Sequence, residues 1–152
     1  FGGTVLALGQ GLIFVLLAPL VVEIALSPGQ VLLVAAVLLL VALAVTSLGF
    51  SVAWQFDSVQ GFHGVVNLFL IPMWVLSGAL FPPSGAADWI RWMMKLNPLT
   101  YAMAALRRTL ALSPGSDVPS LSVALVVVSL FAGLTLLTAI RFASRPLHRT
   151  LG

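Results

Sequence analysis

Cysteine is missing from all 152 residues. Its absence removes disulfides, thiolate metal sites and thiol nucleophiles, and leaves the redox compartment unmarked. Charge is almost as scarce: Asp, Glu, Lys and Arg together make up 7% of the chain, against about 25% in an ordinary soluble domain. The net charge of +3 rests on scattered residues, with no basic run and no interleaving of basic and aromatic side chains, so no nucleic-acid partner is expected. Several chemical signatures are also missing. There is no glycine-rich phosphate cradle, no HExxH and no GxSxG, hence no nucleotide-binding, zinc-protease or serine-hydrolase motif to build on. Alternation of apolar and polar residues at period two is absent as well, which argues against a membrane β-barrel. No internal repeat or low-complexity tract is evident.

Apolar residues are what the chain has in abundance, at 61%. Water cannot be the main solvent of such a sequence, and the reading is an all-α integral membrane protein. A helix needs about 20 mostly apolar residues to cross the hydrocarbon core, and four stretches qualify, at about 4–26, 31–53, 62–81 and 119–140. Gln10, Pro19 and Glu23 interrupt the first. "SPGQ" at 27–30 is a turn signal that folds the first and second stretches into a helical hairpin. "WQFDSVQG" links the second to the third. The chain opens at Phe1 within an apolar stretch, without Met or a signal-peptide pattern. It is therefore read as one transmembrane domain over 1–152, the C-terminal part of a longer chain.

Between the last two spans the pattern changes. "ADWIRWMMKL" puts Trp89, Trp92, Met93 and Leu96 on one helical face and Asp88, Arg91 and Lys95 on the other. Such a helix lies in the membrane interface with its indole rings at headgroup depth. Asn97 then Pro98 reads as an N-cap followed by a first-turn proline. A second short helix starts there, with Leu99, Met103, Leu106 and Leu110 as its apolar stripe and Tyr101 and Arg108 on other faces. "SPGSD" at 113–117 ends it. The expected architecture is thus a bundle of four transmembrane helices with a re-entrant or interfacial helix pair, about 86–112, between the last two.

Polar groups inside a span are costly, and each asks for a reason. In the third span Gln60, His63 and Asn67 recur at intervals of three and four, which aligns them on one helix face; continued, that face reaches Trp74 and Gly78. Two readings stand: a polar stripe lining a translocation path, or hydrogen bonds between helices that hold the bundle together. Pro72 is expected to kink the same span. Glu23 lies beside the "SPGQ" turn and is expected to reach the interface, as a simple polar end or as part of a proton relay. His63 has no second His, Asp or Glu at ligand spacing on its segment, and His148 lies in the tail. No catalytic, cofactor-binding or metal-binding set is therefore predicted. Trp54, Trp74, Trp89 and Trp92 are accounted for by interfacial anchoring and packing.

The stretch from Asp57 to Arg108 resembles the permease subunits of ABC-2 type transporters, the membrane-spanning partners in bacterial ATP-binding-cassette exporters. Ahead of the loop, "LFLIPMWVLSGALFPPSG" is similar to that family's apolar span ending in Ser77, Gly78 and, after apolar residues, Pro82. After it, "LNPLTYAMAALRR" is similar to the family segment carrying Asn97, Pro98, Leu99, Tyr101 and Arg107. Ala87 departs from the proline common before the amphipathic helix. The resemblance implies a six-span permease of which this chain carries the last four, working as a homodimer in the bacterial inner membrane beside a cytoplasmic ATPase subunit. ATP and Mg would be bound by that partner and not by this chain. The implied function is efflux of a drug, lipid or polysaccharide, with Gln60, His63 and Asn67 as candidate path residues. It also implies an extracytoplasmic helix pair that caps the outer end of the path, with Arg107 held near headgroup phosphates or a carboxylate, and a cytoplasmic C-terminus.

Charge gives that orientation little help. Arg91, Lys95, Arg107 and Arg108 flank the loop, while Arg141, Arg145 and Arg149 mark the tail, so the positive-inside rule leans the other way by one residue. The family topology is adopted because the loop's cations belong to membrane-lying helices. Two rival functions are a membrane-embedded enzyme using His63, Asp57 or Glu23, and a membrane scaffold or assembly factor that transports nothing.

Overall fold

A computed structural model describes residues 2–21, 26–56, 58–80, 83–110 and 118–144. Glu23, Asp57, Pro82, Arg145, His148 and Arg149 lie outside the described residues. Six α-helices follow in order: α1 Gly2–Val21, α2 Pro28–Ala53, α3 Val59–Trp74, α4 Asp88–Leu96, α5 Pro98–Thr109 and α6 Leu121–Ala143. A π-helical turn, Val75–Ala79, extends α3, and a short 3-10 turn, Pro83–Gly85, precedes α4. Four helical segments are long and apolar enough to cross a membrane: α1, α2, α3 with its π turn, and α6. The chain is an all-α integral membrane protein.

The helix starts follow from local sequence. Ser27 caps α2 through a reciprocal pair with Gln30: the Ser27 hydroxyl accepts from the Gln30 amide, and the Gln30 side chain accepts from the Ser27 amide. Two orphan donors are thereby satisfied with Pro28 in the first turn, where its missing N–H costs nothing. Ser58 and Ser120 cap α3 and α6 in the simpler way, accepting from Gly61 and Val123. α4 begins after Ala87, which supplies no side-chain cap; Asp88 in the first turn complements the helix dipole instead.

Packing is carried by small residues. The seam of α6 is Ala124, Val128, Ala132, Thr135 and Ala139, spaced by four, four, three and four. It faces Val37, Ala44, Ser47 and Ser51 of α2, and the α2–α6 pair is the spine of the bundle. In lipid the hydrophobic effect does not drive helices together, so close backbone approach through small side chains does that work. Ser51 closes the far end of this pair, its hydroxyl 3.3 Å from that of Thr138. α1 runs antiparallel to α2 in matching register: a Cβ on Gly3 would sit 3.4 Å from Thr46, and one on Gly11 would sit 3.1 Å from Leu38. Large apolar side chains such as Leu6, Phe14, Leu20, Leu130 and Leu134 point outward, the natural exterior for acyl chains.

α2 begins, α3 ends and α6 begins at the same end of the bundle, and there the helix pair α4–α5 is inserted. α5 is not a surface helix. It packs against α6, α2 and the π turn, and Ala104 and Ala105 join Val37 and Ala124 in one buried cluster. Val37 lies about 14 Å along α2 from Pro28 at the usual helical rise, so α5 reaches well below the bundle rim. The stripe expected on α5 is corrected accordingly: Leu99, Met103, Leu106 and Leu110 are only half-buried, whereas Thr100, Ala102, Ala104, Ala105 and Thr109 form the buried face. The pair is thus divided, with α5 re-entrant and α4 exposed at the rim.

Candidate functional site at the broken end of the third span

α3 loses its regular hydrogen bonding close to its end. Pro72 is accommodated within the helix, and the break falls six residues later, at Gly78, whose φ of 83° is left-handed. Only glycine takes that conformation without the clash between Cβ and backbone. The wider π turn before it changes which backbone carbonyls find partners inside the helix. Those carbonyls point toward α4 and α5, where the second of the two sequence motifs waits.

Three carbonyls along this stretch are met by donors from α5 and its cap. The Asn97 side-chain amide donates to the Met73 carbonyl at 2.6 Å, and the Thr100 hydroxyl donates to the Leu76 carbonyl at 3.1 Å. The Arg107 guanidinium donates to the Gly78 carbonyl at 2.6 Å. Ser77 turns back on its own helix, donating to the Trp74 carbonyl at 2.6 Å and accepting from the Ala79 amide at 3.3 Å. Asn97 works in both directions, since its Oδ1 also accepts from the Leu99 amide at 3.0 Å as the N-cap of α5. Asn97 and Thr100 stand one helical turn apart and so do their acceptors, giving a clamp in register. Pro98 fits beside Asn97 because the first turn of α5 needs no amide from it.

Arg107 stands beside the broken end of α3. Its guanidinium meets a backbone carbonyl, and among the described residues no carboxylate pairs with it. Arg108 does a parallel service on the other side, donating to the Pro119 carbonyl at 2.5 Å and the Val118 carbonyl at 2.6 Å just ahead of α6. Tyr101 returns its hydroxyl to the Lys95 carbonyl at 2.9 Å, bracing the α4–α5 corner. Gln30 reaches from the first turn of α2 to the Thr109 carbonyl at 3.1 Å. Both ends of α5 are thereby tied to spans on either side.

Sequence reasoning did not find Thr100, Met94 or the Met73 carbonyl. Met94 is 1% exposed and is the buried anchor of α4; its methyl group lies 3.4 Å from where a Cβ on Gly78 would be. A buried Met between charged and aromatic neighbours on one turn carries no periodic signal of its own. Thr100 could have been found by its three-residue spacing from Asn97.

The polar stripe behaves differently. Gln60, His63, Asn67 and Trp74 are exposed on one side of α3, away from α2. Gly78, expected to continue that face, is buried. The π turn adds a residue to the helical repeat and rotates everything beyond it, so the stripe ends at Trp74. On its opposite side α3 meets α2 loosely across an apolar cavity of about 350 Å³ lined by Leu48, Val52, Val66, Phe69, Met73 and Phe131 among others. Gln10 is exposed on α1. Among the described residues no group of three or more His, Asp or Glu comes together.

Membrane-length helices closed at one end by a re-entrant α5, with α4 at the rim, define a multi-pass helical membrane protein whose conspicuous polar chemistry is a clamp on a broken span. The chain belongs to the ABC-2 type transporter family, whose sequence model matches residues 1–111, from α1 through the end of the clamp helix. It is a transporter permease of the ABC type, and this family partners in general with an ATP-binding subunit. No curated protein and no solved structure matches the chain.

Proposed function

We propose that this permease is an exporter subunit: two copies form the translocation path, and a separate ATPase subunit that binds ATP and Mg drives it. The family match through residue 111 carries the reading. The exposed stripe of Gln60, His63 and Asn67 supports it, because three polar groups facing outward from a lone span are costly against acyl chains. Against a second copy of α3 the same groups line a hydrated path. The cargo class this favours is an amphiphilic drug, a lipid or a lipid-linked glycan, able to move along a wall polar on one strip and apolar beside it.

In this reading α4 and α5 sit at the extracytoplasmic end in the bacterial inner membrane, and the C-terminus after α6 is cytoplasmic. The clamp holds the broken end of α3 in one shape while the ATPase moves the opposite end through the link between α2 and α3. Substrate leaves past a fixed outer rim. The ends of α3 then have separate duties, one transmitting and one retaining.

The test is co-purification of the full-length protein in mild detergent, with identification of bound subunits and an ATP hydrolysis assay on the complex. A nucleotide-binding subunit with ATPase activity is the expected result. Purification of the permease alone from several detergents and from nanodiscs, with no hydrolysis, would overturn the reading. Replacing Gln60, His63 and Asn67 together by Leu should leave the complex assembled and abolish drug-stimulated hydrolysis.

A further inference from the structure

Beside the clamp lies a second cavity, of about 390 Å³, between α4, α5 and the start of α6. Its polar wall is Arg91, Lys95, Arg107, Ser77, Thr100 and Tyr101. Three cations therefore converge on one space, and no carboxylate is among its described lining residues. Among the described residues the acid at hand is Asp88, which pairs with Arg91 at 2.5 Å, but its own side chain is 95% exposed, so water screens much of that charge. Arg91 keeps a buried Nε–H without a hydrogen-bond partner among the described residues. Among the described residues Arg107 makes one contact, to the Gly78 carbonyl, from a group with five N–H donors. Like charges gathered in a partly enclosed space repel each other unless an anion is shared between them.

The position of the cavity says what kind of anion fits. On the other face of α4, Trp89 and Trp92 are 67% and 65% exposed and Leu96 is exposed beside them. Indole rings in that setting rest at the depth of lipid headgroups, and Arg91 and Lys95 are one turn apart on the face behind them. We propose that the cavity binds the phosphate group of an anionic amphiphile, with its chains lying against the Trp face of α4. Guanidinium groups suit this ligand because their planar fork matches phosphate oxygens in pairs, and the Thr100 and Tyr101 hydroxyls add neutral contacts. Occupancy would tie α4 to the clamp through Arg107. The proposal needs only a membrane setting and stands apart from the exporter reading.

The test uses the full-length protein, delipidated in a neutral maltoside detergent, with indole fluorescence as readout. Dioctanoyl phosphatidylglycerol, dioctanoylglycerol and inorganic phosphate are the probes. Phosphatidylglycerol is expected to shift the fluorescence saturably and dioctanoylglycerol to leave it unchanged. Displacement by inorganic phosphate would support a site that free phosphate also fills; no displacement would support a site that requires the chains. The Arg91→Gln/Lys95→Gln double variant should weaken binding by about tenfold or more, as expected for losing charge-assisted contacts, while Arg141→Gln at the far end of α6 should bind as the parent does. Should the double variant unfold, the charge-keeping Arg91→Lys/Lys95→Arg variant must bind, and parental binding must weaken as salt is raised. Equal binding of dioctanoylglycerol, no response to either anion, or unaltered affinity in a folded double variant would overturn the proposal. None of these outcomes depends on whether an ATPase subunit is found.

Discussion

The Arg107 guanidinium donates to the Gly78 carbonyl at 2.6 Å, joining positions 29 apart in the chain. One partner is a residue that only glycine's freedom permits in its conformation, at φ 83°. The other is a long cation whose reach spans the gap between α5 and the π turn. Together with Asn97 and Thr100 they convert a break in a membrane span into a fixed structure. A break of this kind inside a bilayer is tolerated only where neighbouring groups satisfy the backbone again.

Removing the donor should be costly. Arg107→Gln leaves the Gly78 carbonyl without its partner in a half-buried setting, and a hydrogen bond from a charged donor contributes about 1.5–3 kcal/mol. A lower melting temperature in detergent is expected, with Arg107→Lys falling between the two. An unchanged melting temperature for Arg107→Gln would show that the contact does not stabilise the fold.

Asn97 has two duties that substitutions can separate. Asn97→Asp keeps the Oδ1 that caps α5 but loses the donor to Met73, while Asn97→Ala loses both. The cap is worth about 1 kcal/mol and a stranded carbonyl about 1–3 kcal/mol. Both variants are expected to melt below the parent: Asp because its carboxylate faces the Met73 carbonyl in a buried setting, Ala because cap and donor are both gone. A melting temperature equal to the parent's in both variants would show that Asn97 does not hold the clamp.

Glycine replacements should have opposite signs at two positions. Gly78→Ala forces a left-handed alanine, at a cost of about 1–2 kcal/mol, and places its Cβ 3.4 Å from the Met94 methyl. Gly133 lies within α6 with open space around its would-be Cβ, so Gly133→Ala should stabilise by about 0.5–1 kcal/mol. Unfolding followed by intrinsic fluorescence in detergent compares the two directly. A neutral Gly78→Ala would contradict the account of the broken end.

The proposed orientation can be tested on a background free of cysteine in this chain. Single cysteines at Ser116 and Ser144, treated with a membrane-impermeant thiol reagent on intact cells, should label at Ser116 and not at Ser144. Labelling of Ser144 alone would invert the topology and place the clamp on the cytoplasmic side.

The spans were legible because hydropathy over about 20 residues is a strong signal; the helices run Gly2–Val21, Pro28–Ala53, Val59–Trp74 with its π turn, and Leu121–Ala143. The corner at Asn97 and Pro98 was legible because capping chemistry is local. Faces were harder to read. On α5 the larger Leu and Met residues suggested one stripe, yet the buried face is Ala and Thr, because a helix surrounded by apolar solvent or apolar neighbours gains from close approach more than from hiding large side chains. On α3 a constant helical period carried the polar stripe through to Gly78, and the π turn broke that period.

By itself the sequence determined the solvent of this protein, the four apolar runs that match the membrane-length helices among the described residues, and the two motifs that mark its family. Composition, run length and residue spacing are properties of the chain read in order. Only the tertiary structure decided that these motifs are two halves of one clamp, that Arg107 serves a backbone carbonyl, and that Arg91 and Lys95 join it around a shared cavity. Those relations depend on which carbonyls a broken helix leaves unpaired and which helix lies opposite them, and no linear pattern records either.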